Sequence, residues 1–318
     1  MLIDRAARLF GTALALILLT IGLIVTGPAP QAVAAVQTCS SATSVGSRPT
    51  LRRGDTGSCV VTLQRLLIAQ GYSIGSADGV FGSRTDLGVR RYQSTKLDLV
   101  IDGIVGPATW NRLVNGGGTT YSLYSGPNTG SRVILSFDDC PSSLSAFNAA
   151  IAGARDLGIA LVLSPTGDCL STGRFSVAGA RANGHYVINH SISHPDFTAL
   201  SLSSIVSQLG SPGVATSYGR PPYGAYNETV RNAYATKGMR LWLWNVDTRD
   251  WTGLSSSQVV SYVIANARPG DTVLMHMGWN AFNKTSLSQI KSGLGALGLG
   301  VCRNSYGTTP SAPRTLAC

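Results

Sequence analysis

The sequence predicts the α/β fold class, with a small all-α domain of three helices followed by a distorted (β/α)7 barrel. In the second half of the chain, short apolar runs alternate with stretches whose apolar residues recur at helical spacing. This alternation is typical of parallel sheets covered by helices. Nearer the amino terminus, the apolar residues follow helical spacing alone. The apolar runs lie near residues 132–137, 159–163, 186–189, 216–219, 239–246, 271–276 and 298–302.

The first 35 residues read as a targeting segment rather than as part of the fold. Arg5 and Arg8 precede an apolar run from Leu9 to about Val25, and small residues follow at 32–34. This order is typical of a secretory signal peptide. An uncleaved membrane anchor is the alternative, because the run approaches the roughly 20 residues that span a bilayer. We expect cleavage, and therefore a secreted protein without a stable membrane span.

The formal net charge of the 318-residue chain is +10. For an exported protein, this charge favours an anionic cell wall or membrane surface as the partner. The sequence has no Lys/Arg-rich run with interleaved aromatic residues, so nucleic acid is not an expected partner. We expect a monomer associated with the cell wall.

Six cysteines follow the signal segment, an even number that indicates disulfides in an exported chain. Local pairing is the expectation. A metal site made of cysteines is the alternative, but the sequence contains no Cys-x-x-Cys spacing. The expected bridges are Cys39–Cys59, Cys140–Cys169 and Cys302–Cys318.

The predicted first domain occupies residues 51–115, between two linkers. Residues 36–50 lack periodicity, and residues 116–130 are rich in Gly, Ser and Thr, so we expect the second linker to be flexible. Ser83 is predicted to cap the second helix, and Pro107 to begin the third. The first helix is indicated by Val60, Leu63 and Leu67.

Two Asp-Gly turns echo each other within this domain, and each leads into a predicted helix. They are Asp78-Gly79-Val80-Phe81-Gly82 and Asp102-Gly103-Ile104-Val105-Gly106. Together with Leu51-Arg52-Arg53-Gly54-Asp55-Thr56-Gly57 and Leu63-Gln64, they resemble the three-helix type of peptidoglycan-binding domain. The resemblance implies that residues 51–115 bind a cell-wall glycan, without identifying the residues that contact sugar.

Polar residues follow the predicted strands at the edge where barrel enzymes carry their chemistry. One acid and two histidines form a recognised open zinc site, with a position left for water. A remaining aspartate and histidine could then act as general base and general acid. The residues at these strand ends are Asp138, Asp139, His190, His194, Arg220, Asp247, Asp250 and His276.

Five motifs in order over residues 131–280 resemble the polysaccharide deacetylase family, carbohydrate esterase family 4, also called the NodB-homology domain. We expect this domain to extend over residues 131–318. The motifs are Ser136-Phe137-Asp138-Asp139-Cys140-Pro141, His190-Ser191-Ile192-Ser193-His194-Pro195, Arg220-Pro221-Pro222-Tyr223-Gly224, Asp247-Thr248-Arg249-Asp250-Trp251 and Leu274-Met275-His276.

The resemblance implies a metal site and a pair of proton-transfer groups. Asp139, His190 and His194 would hold one divalent ion, with zinc the expected metal. Asp138 would be the general base for the attacking water, and Arg220 would orient it and keep it charged. His276 would donate a proton to the departing amine.

The remaining roles concern the walls and supports of the site. Asp250 would hold His276 in the useful tautomer, although Asp247 competes for that role. The backbone N–H of Tyr223 would face the developing negative charge. Trp251 and Leu274, and with less support Trp244, would wall the acetyl pocket, whereas His185 is expected to be structural.

The expected function is a secreted, metal-dependent N-deacetylase that acts on amino sugars of a cell-wall glycan, above all peptidoglycan. An acetylxylan esterase or a chitin deacetylase is one alternative, and a catalytically inactive wall-binding protein is another. Cys140 stands where the family usually has glycine. Paired with Cys169, it would staple the loop that carries both aspartates.

Overall fold

The computed structural model describes residues 36–37, 39, 43–211, 213–304 and 318. The predicted signal peptide and its cleavage site lie outside these residues. The described residues belong to one compact unit. Within the described part of the chain, no helix is both long and apolar enough to cross a membrane.

The amino-terminal part of this unit is built on short helices around one apolar core. Its largest buried side chains include Trp110, Tyr92 and Phe81. The elements are β1 (Val36–Gln37), β2 (Thr56–Gly57), α1 (Ser58–Ala69), α2 (Ser83–Ser94) and α3 (Pro107–Asn115), with β1 and β2 paired in parallel.

Two helix starts test the sequence prediction. As predicted, α3 begins at Pro107, whose missing N–H costs nothing in the first turn. The prediction for Ser83 was wrong, because Ser83 is already helical and Gly82 is the N-cap residue without a side-chain cap bond.

The two Asp-Gly turns are fixed by the same set of hydrogen bonds. In the first, the Gln64 amide donates to Asp78 Oδ1 and accepts from the Gly79 N–H, at 2.8 and 2.9 Å. In the second, Gln93 makes the corresponding bonds to Asp102 and Gly103, both at 2.9 Å. Both glutamines are buried, so they satisfy turn groups that would otherwise lack partners.

The carboxy-terminal part alternates strands and helices as predicted. The strands run in parallel, so their carboxyl ends lie at the same edge of the sheet. The candidate site lies at that edge. The elements are β3 (Ile134–Asp139), α4 (Leu144–Asp156), β4 (Leu161–Pro165), α5 (Gly167–Ser171), α6 (Val177–Ala182), β5 (Tyr186–Val187), α7 (Leu202–Gln208), β6 (Tyr218–Gly219), α8 (Glu228–Thr236), β7 (Arg240–Leu241), β8 (Val246–Asp247), α9 (Ser256–Asn266), β9 (Thr272–His276) and α10 (Lys284–Ala296).

The strands form two parallel sheets joined at one point. The larger has the order β5-β4-β3-β9-β8, and the smaller pairs β6 with β7. Among the described residues, a parallel bridge between Asn189 and Gly219 links them. The fold is therefore α/β with parallel strands, whereas a closed seven-stranded barrel stays a prediction.

Two predicted strands differ in the structure. The run 239–246 divides into β7 and β8, because the carbonyl groups of Trp242 and Leu243 accept hydrogen bonds from the Arg220 side chain. The run 298–302 contributes an isolated bridge from Val301 to Val133 rather than a strand.

Residues 116–130 are packed, in contrast to the flexible linker that their composition predicted. The Tyr121 hydroxyl donates to the Leu241 carbonyl at 2.6 Å, and the Leu243 N–H donates to the Leu123 carbonyl at 2.7 Å. At Gly126, where φ is 63°, a Cβ would lie 2.2 Å from the Trp242 ring. The segment is thus held against the small sheet.

The three disulfides pair as predicted: Cys39–Cys59, Cys140–Cys169 and Cys302–Cys318. The second is placed to constrain the site, since Cys140 directly follows the end of β3. Its partner Cys169 is buried on the short helix α5.

Candidate active site

A pocket of about 430 Å³ opens at the carboxyl ends of the parallel strands. It collects nearly all of the residues predicted for the site, with Arg220 and Asp250 fully buried. The lining residues are Asp138, Asp139, His190, His194, Tyr223, Gly224, Trp244, Asp247, Trp251, Leu274 and His276.

Asp139, His190 and His194 form a cluster with the donor set of a metal site. One ligand atom from each residue lies within 4.8 Å of the others. Asp139 Oδ1 is 3.4 Å from His190 Nε2 and 3.5 Å from His194 Nε2. Ligand atoms of a tetrahedral site with bonds of about 2.0–2.2 Å lie about 3.3–3.6 Å apart. The three residues therefore fit a divalent ion.

His190 is oriented by a hydrogen bond from its other ring nitrogen. Its Nδ1 donates to the Arg220 carbonyl at 2.9 Å, and its Nε2 lies 3.4 Å from Asp139 Oδ1. Such a bond fixes the tautomer and the ring of a metal-binding histidine. The Arg220 N–H, in turn, donates to the Asn189 carbonyl at 2.8 Å.

The Arg220 side chain holds the second aspartate. Its Nη1 donates to Asp138 Oδ1 at 2.7 Å and to Ser136 Oγ at 3.1 Å. Its Nε and Nη2 donate to the Trp242 and Leu243 carbonyls. The buried guanidinium is thus surrounded by acceptors, and Asp138 is its one carboxylate partner among the described residues.

His276, which lies beside Asp138 on the neighbouring strand, is paired with Asp250. Its Nδ1 donates to Asp250 Oδ1 at 2.7 Å, and its backbone N–H donates to Oδ2 at 2.8 Å. Asp247 lines the pocket and accepts from the Arg249 N–H. In the described part of the chain, no hydrogen bond joins it to His276. Of the two aspartates weighed from the sequence, Asp250 is therefore the one that supports His276.

Backbone strain is concentrated around this pocket. Five described residues other than glycine have positive φ: Asp139, Ser191, His194, Tyr223 and Arg249. Left-handed conformations cost about 1–3 kcal/mol each at a non-glycine residue and cluster at functional sites. The sequence motifs contain these residues but carry no signal for their backbone conformation.

Neighbouring charges shift the pKa values of the site. Burial opposes charge on Asp139, but the hydrogen bond and charge of His190 lower its pKa to about 2. Burial also disfavours charge on His190, yet Asp138 and Asp139 outweigh it and raise the pKa of His190. Burial and the adjacent His190 lower the pKa of His194.

The pKa of His276 is raised for a related reason. Burial lowers it, but the hydrogen bond to Asp250 and the charges of Asp138 and Asp250 raise it by more. A histidine with this environment retains its proton to higher pH than a free imidazole. It is therefore suited to donate a proton near neutrality.

Aromatic and apolar side chains wall the pocket. Tyr223 and Trp251 are exposed, Trp244 is half-buried, and Leu274 is buried. At Gly224, where φ is 64°, a Cβ would lie 2.4 Å from the Trp244 ring, so glycine lets this wall approach closely. Two supporting residues were not predicted: Ser136 accepts from Arg220, and Ser191 Oγ accepts from the His194 N–H.

His185 lies away from the pocket and is structural, as expected. It is fully buried, with Nε2 donating to the Ile151 carbonyl at 2.8 Å and Nδ1 accepting from the Leu161 N–H at 3.2 Å. Burial lowers its pKa to about 4, although the bond to Ile151 opposes this shift.

Two family descriptions match the chain. Residues 56–113 match the putative peptidoglycan binding domain, and residues 125–242 match the polysaccharide deacetylase family. The second domain of the chain thus matches the polysaccharide deacetylase family over residues 125–242. The family is one of hydrolases, and the deacetylase match includes both adjacent aspartates, the two site histidines of the second motif and Arg220. Asp250 and His276 lie beyond the matched residues.

Two curated relatives of the deacetylase domain are themselves named as deacetylases. The chitooligosaccharide deacetylase of Rhizobium leguminosarum bv. trifolii is 37% identical over 106 residues, which are 30% of this chain and 49% of the relative. The peptidoglycan-N-acetylglucosamine deacetylase PgdA of Listeria monocytogenes is 30% identical over 156 residues, 46% of this chain and 33% of the relative. The chain thus spans half or less of the length of these relatives.

A solved structure is similar in fold. The Bc1960 peptidoglycan N-acetylglucosamine deacetylase, in complex with a naphthalenyl N-oxidanyl-benzamide, has a TM-score of 0.50 and 24% identity. The similarity covers 60% of this chain and 92% of that chain.

Proposed function

We propose that this protein is a secreted, metal-dependent N-deacetylase that removes acetyl groups from amino sugars of a cell-wall glycan. The observation that supports this most is the arrangement of one pocket. Asp139, His190 and His194 converge in this pocket. Asp138 lies beside them, and His276 is its register partner on the neighbouring strand.

A divalent ion, with zinc expected, would be held by Asp139, His190 and His194, and would lower the pKa of water and polarise the acetyl carbonyl. Asp138 accepts the proton of the water that attacks the carbonyl carbon. Arg220 fixes the position of Asp138 through a buried charge-assisted bond. The Tyr223 N–H faces the oxygen on which negative charge develops.

His276 completes the proposed reaction. As the carbon–nitrogen bond breaks, the imidazolium donates its proton to the departing nitrogen, so an amine leaves rather than an amide anion. Asp250 holds the ring with Nδ1 protonated and stabilises its positive charge. The products are acetate and a glycan with a free amino group. The acetyl and sugar groups would be received by the pocket walls, which are the exposed Tyr223 and Trp251 and the buried Leu274.

Peptidoglycan is the proposed substrate. The peptidoglycan-binding domain suggests a cell-wall glycan partner, and the Listeria relative is named for peptidoglycan N-acetylglucosamine. Three disulfides fit an oxidising location outside the cell, in agreement with the predicted signal peptide. The protein would then be an extracellular monomer associated with the wall.

Acetate release from three substrates tests the proposal. Purified peptidoglycan, chitin oligomers and acetylxylan would be incubated with the purified protein after chelation and after metal is added back. We expect metal-dependent release that is fastest from peptidoglycan, and loss of release in Asp138→Asn. Faster release from acetylxylan would indicate an esterase, and faster release from chitin oligomers a chitin deacetylase. No release from any substrate by the metal-loaded protein would indicate a wall-binding protein without activity.

A further inference from the structure

The peptidoglycan-binding domain packs against the deacetylase domain through α2 and α8. At the outer edge, Arg91 on α2 donates to the Glu228 carboxylate and, at 2.6 Å, to Asn232 Oδ1. The Glu228 side chain is 72% exposed. Water screens this ion pair, so it contributes little to holding the two domains together.

The centre of the interface is a buried arginine of the deacetylase domain. Arg240 is 3% exposed, and its Nη2 donates to the carbonyl groups of Gln93, Lys96 and Leu99 at 3.2, 2.5 and 2.7 Å. Its guanidinium also lies over the Tyr121 ring, 5.7 Å from the centroid. The three acceptors lie at and after the end of α2, which carries the negative end of the helix dipole.

The residues that follow Arg240 connect to the catalytic side of the domain. The Leu241 carbonyl accepts from the Tyr121 hydroxyl at 2.6 Å. The next two carbonyls, of Trp242 and Leu243, accept from Arg220 at 3.1 and 3.0 Å. Arg220 in turn donates to Asp138 at 2.7 Å. Residues 240–243 therefore contact the first domain at one end and the arginine that holds Asp138 at the other.

Most hydrogen bonds of this connection are buried, so water cannot replace one that is lost. Removing the Arg240 guanidinium would take a donor from all three carbonyl groups and leave those of Gln93 and Lys96 with only backbone bonds of 3.2 and 3.3 Å. The backbone at 240–243 would relax, and the acceptors of Arg220 would move with it. Displacements of about 1 Å at such positions can cost about 10²-fold in rate.

We propose that Arg240 is a positioning residue, through which the peptidoglycan-binding domain helps to hold Arg220 and Asp138 in place. The binding domain is then part of the framework of the active site, in addition to any glycan it binds. The kinetic part of this inference rests on the proposed deacetylase function, whereas the structural part does not.

The test compares three variants of the full chain. Arg240→Gln removes the charge, Arg240→Lys keeps the charge but loses the planar fork, and Glu228→Gln removes the exposed pair at the edge of the same interface. The rate of acetate release from soluble chitin oligomers gives kcat and KM. Backbone hydrogen exchange of peptides that cover residues 93–99, 216–224 and 240–247 reports the structure without using activity.

We expect Arg240→Gln to lower kcat about tenfold or more with little change in KM, and to speed exchange in all three peptides. Arg240→Lys should show the same changes to a smaller extent, and Glu228→Gln should show neither. A merely local interface role predicts faster exchange at 93–99 and in the strands paired at residue 240, with kcat unchanged. An unchanged kcat in the folded Arg240→Gln variant would therefore overturn the proposal.

Two further outcomes are decided by the same design. If Arg240→Gln does not fold, Arg240→Lys decides, and a folded lysine variant with wild-type kcat and wild-type exchange at 216–224 and 240–247 contradicts the proposal. If the wild-type protein releases no acetate, the proposed function fails. Exchange at 220–224, beyond the strand that pairs with residue 240, then decides the positioning role by itself, with acceleration in Arg240→Gln supporting it and an unchanged rate opposing it.

Discussion

Asp250 holds His276 at two points, with one carboxylate oxygen 2.7 Å from the ring Nδ1 and the other 2.8 Å from the backbone nitrogen. Asp250 is fully buried, so water does not weaken either bond. The ring therefore has a fixed orientation and a fixed tautomer, with Nε2 available to the pocket.

Replacing Asp250 with Asn should shift the pH dependence of catalysis. Asp250 raises the pKa of His276 against the effect of burial, so removing its charge lowers that pKa. If His276 acts as an acid, the fall in kcat/KM at high pH then begins at a lower pH. At pH 8 the rate should fall by about 10–100-fold. A pH–rate profile checks this, with Asp247→Asn as the matched control. An equal shift in the control would reassign the supporting carboxylate.

The adjacent aspartates should separate metal binding from proton transfer. Asp138→Asn should keep its metal and lose about 10²–10⁴ in rate, because the base is removed while the three ligands remain. Asp139→Asn should lose metal, because the carboxylate ligand is removed. Metal content and acetate release would be measured on the same samples. Stoichiometric metal loss in Asp138→Asn would mean that the two roles are exchanged.

His185 should make the deacetylase domain less stable in acid. Its folded pKa of about 4 lies below the ordinary value near 6.5, so the fold favours the neutral ring. That stabilisation is complete above the unfolded pKa and declines as pH falls toward the folded one. Between pH 7 and pH 4.5 the free energy of unfolding should fall by about 2–3 kcal/mol from this residue.

Urea unfolding of the wild type and His185→Gln at both pH values measures this contribution. The carboxylates titrate in both proteins, so the difference between their pH dependences isolates the histidine. Parallel pH dependences would show that His185 is not protonated on unfolding in this range.

Breaking the Cys140–Cys169 bond should weaken metal binding before the domain unfolds. The bridge closes a loop with a sequence separation of 29 residues, worth about 3–4 kcal/mol by chain entropy. It also restrains the backbone next to Asp139, whose φ is 69°. Metal affinity and urea stability would be compared in Cys140→Ser/Cys169→Ser and in the control pair Cys302→Ser/Cys318→Ser. Equal metal affinity in the two double variants would refute a role for the bridge at the site.

The sequence motifs predicted the residues of the pocket because each motif is local and stands at a strand end. Asp138 and His276 meet because their strands are neighbours in register, which a correct strand alternation already implies. Local cysteine spacing likewise predicted the disulfides. The division of 239–246 into two strands was not predictable, since it depends on the Arg220 side chain taking backbone acceptors.

The packed connector shows a second limit of local patterns. Gly and Ser content indicates what a segment could do when alone, but Tyr121 and Leu123 bind to carbonyl and N–H groups distant in sequence. The burial of Arg240 has the same origin. A lone arginine before an apolar run carries no sign that its partners are carbonyl groups of another domain.

For the proposed deacetylase, the anchored connector would influence which sugars along a glycan chain are modified. Two modules joined by a loose tether sample a broad range of separations, and that range grows with tether length. Here the connector is packed, so a glycan bound by the first domain would reach the pocket at a nearly constant distance from its binding site. The modified positions on one glycan chain would then recur at regular intervals instead of falling at random.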